Sequence, residues 1–218
     1  MRLTVRAITL TLLLLAVAAT ASADTVSLTI TDGGSNTSGG VYVGPYNFTS
    51  GGQSLQLICD TFANDVFPPE TWNAQTTSFS NLSGTLFGSA NQTKYLEVGY
   101  LAEAMFANLS NPGTVADIQW AIWDIFDAGS CGTGVSNCDP YGTPNDLNGI
   151  NGWVAAAIAN PGMASNYSNL VIYSPVSGWP AQDGVPQEYI GQVPEPGSLM
   201  LMGSGLFSLL AFRRRLPS

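Results

Sequence analysis

Histidine does not occur anywhere in the 218 residues. Its absence excludes Ser-His-Asp and Cys-His nucleophilic sites and every histidine-bound zinc site. Three cysteines are too few for an all-thiolate zinc site, so no metal and no other cofactor is expected. Basic residues are nearly as scarce. Arg2, Arg6, Arg213, Arg214 and Arg215 lie at the two ends, and between them only Lys94 remains. Fourteen carboxylates stand between Asp24 and Pro194, which leaves that stretch with a formal net charge of −13. Such a surface cannot neutralise phosphates, so nucleic acid is excluded as a partner. A surface rich in Asn, Ser, Thr and Gly suits an exported protein instead.

Both ends carry targeting signals. "MRLTVRAITLTLLLLAVAATASA" opens with Arg2 and Arg6, continues as an apolar run and closes on Ala21-Ser22-Ala23. That is a secretory signal peptide over residues 1–23, with Asp24 as the first mature residue. The run is short for a membrane span. At the other end, Leu199 to Phe212 is almost wholly apolar and is followed at once by Arg213, Arg214 and Arg215. A full span needs about 20 apolar residues, so this run crosses only with its flanks recruited, its arginines in the cytoplasm. Val193-Pro194-Glu195-Pro196 precedes it as a rigid extended segment.

This tail, residues 193–218, resembles the PEP-CTERM sorting signal: Pro-Glu-Pro, a short transmembrane helix, then an Arg cluster. The resemblance implies a Gram-negative bacterium in which an exosortase removes the tail. It places the protein transiently at the inner membrane and then at the cell surface or in the extracellular matrix.

Residues 24–192 have the length of a single domain with a real core. "TVSLTIT" alternates as a strand over Thr25 to Thr31, and "GGVYVGPYNFTS" and "GQSLQLICDTF" read as further strands or a hairpin. "TTSFSNLSGTL" is read as one more strand. "TKYLEVGYLAEAMFANL" has helical spacing through Leu96, Tyr100, Leu101, Ala104 and Met105. Asn111-Pro112-Gly113 breaks it, and Thr114 is placed to cap the next helix. "NGWVAAAIAN" is a third helix stopped by Pro161-Gly162, after which "NLVIYSP" and "QEYIGQV" return to strand. The fold class expected is α+β, a β-sandwich or barrel carrying a helical insertion.

Within the second helix one residue is out of place. Val115, Ile118, Ile122, Ile125 and Phe126 form an apolar stripe with Trp123 at its edge, while Asp117 and Asp124 fall on the side predicted to face water. Gln119 lies in the middle of the apolar stripe. Burying a primary amide costs a few kcal/mol unless its donors and acceptor are paired.

The cysteines pose a second question. Cys131 and Cys138 sit in the glycine-rich loop "GSCGTGVSNCDP" and are expected to form a disulfide in an exported chain. Cys59 is left over, on the strand face shared by Leu55 and Leu57. One answer is a small buried hydrophobe.

Another answer joins it to Gln119. A thiol and a carboxamide in contact can condense, with loss of ammonia, to an internal thioester. "ICD" (Ile58-Cys59-Asp60) and "QWAIW" (Gln119 to Trp123) resemble the thioester domains of bacterial surface adhesins, whose glutamine opens a Gln-x-Ala-Ile-Trp motif. Ile118 departs from the threonine common at that position, and the known adhesins are Gram-positive. The resemblance implies an acyl donor attacked by amines on a surface or matrix polymer. Trp120, Trp123 and Phe126 would exclude water, and Asp60 or Asp117 would position the amine.

Three readings follow. The first is a non-enzymatic adhesin or matrix protein that crosslinks through Cys59 and Gln119. The second is a non-covalent matrix scaffold in which backbone groups satisfy Gln119. The third is a glycan-active enzyme using paired carboxylates such as Asp117, Asp124 and Asp127, which requires two of them facing a cleft. "DPYGTPNDLNG", with Asp139, Asp146 and Asn148, lacks calcium-loop spacing and reads as a turn.

Overall fold

The structure, a computed structural model, describes residues 24–127, 145–176 and 184–193. The leader, the Cys131 and Cys138 loop with Asp139, and the tail from Pro194 onward lie outside these residues. Among the described residues there are eight strands: β1 (Thr25–Asp32), β2 (Thr37–Ser38), β3 (Val41–Tyr42), β4 (Tyr46–Ser50), β5 (Gln53–Cys59), β6 (Glu70–Thr77), β7 (Leu170–Pro175) and β8 (Tyr189–Gln192). Three α-helices, α1 (Gln92–Ala107), α2 (Pro112–Phe126) and α3 (Asn145–Ala159), all fall between β6 and β7.

Six strands close into an antiparallel barrel in the order β1-β4-β5-β8-β7-β6, with β6 pairing back onto β1. The expected choice between sandwich and barrel is thereby resolved as a barrel, and the helices are an insertion between two of its strands. Closure leaves the six barrel strands without an open edge, while β2 and β3 pair separately as a two-stranded sheet. β4 and β5 are joined through Gly51 and Gly52, both at positive φ, which a two-residue hairpin turn with the twist of its strands requires.

Alternation along the strands fills the barrel. Leu28 pairs with Trp72, Tyr46 with Leu57, and Cys59 with Tyr189. Tyr189 packs edge-on to Phe48 at 4.7 Å between ring centroids, and Phe48 meets Trp72 at 5.8 Å. At one end of β5, β8 and β7 the other face is dry as well: Ile58, Ile190 and Ile172 form a cross-strand row with no exposed surface. A strand buried on both faces needs cover on the outside, and here that is the helical insertion, whose Gln119 and Tyr95 side chains bond to this part of the barrel.

Several local expectations are corrected. Residues 78–88 form turns, not a strand; the strand in this region is β6, whose Trp72 and Ala74 alternate inward among polar neighbours. α1 buries Tyr95, Val98, Leu101, Ala102 and Met105, so its inner face is rotated away from Leu96, Tyr100 and Ala104. Gly99 sets this orientation, because a Cβ there would meet the rings of Tyr167 and Phe79 at 2.8 and 2.9 Å. α2 is capped by Asn111, whose side chain accepts from the Thr114 N–H, with Pro112 following; Thr114 is not the cap. Asp117 and Asp124 are half-buried rather than solvated, and Asp117 lies against Gly149 of α3.

Candidate functional site

Gln119 and Cys59 are fully buried and adjacent. The Gln119 carboxamide Nε2 donates to the main-chain oxygen of Cys59 at 2.6 Å, and its Oε1 accepts from the Gly44 N–H at 3.2 Å. The glutamine thus bridges α2 to the end of β5, 60 residues away, and to the turn before β4, 75 residues away. Gly44 permits the approach: a Cβ on it would stand 2.7 Å from Gln119 Oε1. Gly44→Ala is therefore expected to push the carboxamide off its partners and cost about 1–3 kcal/mol, read as a lowered midpoint in guanidinium unfolding. An unchanged midpoint would show that the bridge carries no stability.

The Cys59 thiol donates to the Thr61 carbonyl at 3.3 Å. Burial pushes this thiol far above its usual range, and the charges of Asp60 and Glu188 add to the effect, while the Trp123 indole N–H and the Thr61 contact oppose it. As a free thiol it stays protonated and is a poor nucleophile toward outside reagents. Trp123 Nε1 is buried beside this thiol without a fully formed hydrogen bond. Trp120 is fixed by its Nε1 donating to Ser38 Oγ at 3.0 Å. Phe62, which sequence reasoning did not single out, covers both indoles at ring distances of 5.5 Å and 5.0 Å. Phe126 sits further along α2, stacked on Phe87 at 4.0 Å, and so belongs to the α1 side of the insertion rather than to this cover.

Asp60 also lies elsewhere than expected. It continues the β5–β8 ladder, its N–H donating to the Glu188 carbonyl at 3.2 Å, and has no exposed surface. Its carboxyl meets Glu188, and the Thr61 hydroxyl donates to its Oδ1 at 3.1 Å. Glu188, unforeseen in the sequence, is likewise wholly buried. It accepts from the Leu86 N–H at 2.7 Å, from the Tyr95 hydroxyl at 2.5 Å and from the Ser174 hydroxyl. Burial and the mutual repulsion of the two carboxyls raise Asp60 well above the ordinary carboxylate range. Burial also raises Glu188, against the pull of its three donors.

A cleft of about 480 Å³ opens near the start of β5, lined by Asp24, Gln53, Leu55 and Tyr173 among others. It includes neither Cys59 nor Gln119, and Asp24 is its one carboxylate among the described residues. The paired-carboxylate arrangement needed for glycan hydrolysis is thus not presented there. Among the described residues no group of acidic or thiol side chains is arranged to hold a metal ion. No helix of the described residues is long and apolar enough to cross a membrane, and the tail run read as crossing one lies outside them.

No curated protein and no solved structure matches the chain. Residues 192–215 match the PEP-CTERM protein-sorting motif, which embraces Pro194, Glu195, Pro196 and the arginines 213–215. The chain therefore carries the sorting signal of an exported, cell-surface protein processed by exosortase.

Proposed function

We propose that this exported protein attaches itself covalently to amine-bearing surface or matrix polymers through a thioester between Cys59 and Gln119. The observation that supports this reading is the meeting of an unpaired, fully buried cysteine with a fully buried glutamine carboxamide, 2.6 Å from the cysteine's own carbonyl. Condensation joins Cys59 Sγ to Gln119 Cδ; the carboxamide nitrogen leaves as ammonia, taking up the thiol proton. A partner amine then attacks Cδ, forms an amide and releases the thiol, with the amine's proton ending on sulfur. The exchange is complete in itself and needs no redox partner. It consumes the group that performs it, so the protein is a single-use reagent and not an enzyme.

Phe62, Trp120 and Trp123 keep water from the bond, and the same cover has to part for a lysine side chain to enter. The scarcity of lysine, with Lys94 alone between the targeting segments, limits self-consumption.

One observation favours a second reading. Both ends of the Gln119 carboxamide are already satisfied by backbone groups, as a purely structural bridge would have them, in a non-covalent matrix scaffold. Methylamine separates the two. Incubation is expected to place N-methylglutamine at position 119 and to make Cys59 available to alkylation after denaturation, and neither should occur in Cys59→Ser. Unmodified Gln119 in the wild type would leave the scaffold reading.

A further inference from the structure

The two buried carboxyls next to this site require a proton of their own. Asp60 and Glu188 face each other just past the end of β5 and just before β8, continuing the pairs Ile58–Ile190 and Cys59–Tyr189 by a backbone bond. Like charges directly opposite each other repel, and between two groups without exposed surface there is no water to screen them. Among the described residues no cation acts on either group; Lys94, on α1, acts on Glu97. The titratable groups facing the pair are Tyr95 of α1, Cys59 of β5 and Tyr189 of β8. All three are held protonated by burial and by these very charges, so none offsets them.

The hydrogen bonds say where one proton goes. Glu188 has only donors around it: the Leu86 N–H, the Tyr95 hydroxyl and the Ser174 hydroxyl. It is built to be the anion. Asp60 has the Thr61 hydroxyl on Oδ1 and no donor on Oδ2, which is buried and has no other partner. A protonated Oδ2 that donates to Glu188 removes both the orphan and the repulsion. Asp60 and Glu188 then share one proton in the manner of other carboxyl dyads.

The anion's donors come from three directions: α1, the loop before it and β7. Glu188 therefore fastens the helical insertion to the barrel, and its bond to Tyr95 holds only while the pair can stay together. We propose that Asp60 and Glu188 form a one-proton binding site that latches the helical insertion onto the barrel and releases it when the proton is lost. The latch rests on the geometry of the pair and operates whether or not the thioester forms. Where the thioester does form, α2 stays joined to β5 through Gln119, and release frees α1 and loosens the cover over the bond.

The sign follows from the proton count. A raised carboxyl in the folded state means that folding takes up a proton at any pH between the ordinary carboxylate range and the raised value. Stability from the latch is complete below the ordinary range and is lost as pH climbs toward the raised value. Hydrogen exchange of the full chain, corrected for intrinsic rates and followed with pH, tests this. Protection of the α1 amides is expected to fall roughly tenfold per pH unit above the ordinary carboxylate range. In Asp60→Asn, whose amide keeps the donor to Glu188 but has no proton to lose, the fall should disappear while protection at low pH is retained. A wild-type profile that is flat, or the same slope in Asp60→Asn, would overturn the proposal. Methylamine labelling of the same samples reports the thioester separately, so either idea can fail without the other.

Discussion

Replacing Glu188 with alanine is expected to cost more than half of the protein's stability. Three donors converge on this carboxylate, from Leu86, Tyr95 and Ser174, and the Tyr95 hydroxyl in turn accepts from the Phe87 N–H. Each buried donor left without an acceptor costs about 1–3 kcal/mol, and the whole domain has only about 5–15 kcal/mol to lose. The truncation also opens a cavity at a site with no exposed surface. Asp60 is left facing that cavity with only the Thr61 hydroxyl for company. Chemical unfolding should show a large drop in midpoint, or no folded protein at all. Glu188→Gln, which keeps one acceptor oxygen, should fall between wild type and Glu188→Ala. Near-wild-type stability in Glu188→Ala would mean that the donors find water or each other, and that the seam between helices and barrel is held elsewhere.

Gln119→Ala is the second large effect, and it acts on two levels. The Cys59 carbonyl and the Gly44 N–H lose their shared partner in a dry interior, which places the loss at roughly 2–4 kcal/mol. Amine capture is expected to vanish altogether, since the acyl carbon is gone. Gln119→Glu separates the levels: it keeps the shape and an acceptor for Gly44 but has no amide nitrogen to expel. A folded Gln119→Glu that still takes up methylamine at position 119 would rule out a carboxamide-derived thioester.

The parts of the molecule that were legible in the sequence are those in which neighbours in the chain decide the outcome. β1 announces itself by alternation, α2 by its apolar stripe, and α3's end by Pro161-Gly162. The oddity of Gln119 was also visible, because a periodic pattern exposes the one polar residue that breaks it. β6 was not, since "ETWNAQTT" is mostly polar and is a strand only because β1 and β7 lie on either side. Nor was the rotation of α1, which depends on Gly99 fitting under the Tyr167 and Phe79 rings and on a tyrosine hydroxyl reaching Glu188, 93 residues away. Glu188 itself stood in a run from Gln187 to Gly191 that is buried on both faces, so no alternation marked it as unusual. Its partners are assembled from four separate stretches of chain. Asp60 was legible as a neighbour of the cysteine but not as half of an acid pair. Pairing across strands is a tertiary fact that spacing along the sequence does not carry.

The central claim is that the Cys59 thiol and the Gln119 carboxamide are two parts of one reactive group. The intact mass of the purified protein, measured after denaturation without reductant or amine buffer, addresses it most directly. The account predicts a chain lighter than its sequence by one ammonia, in wild type but not in Cys59→Ser. A chain at full mass, with Cys59 open to alkylation, would contradict it.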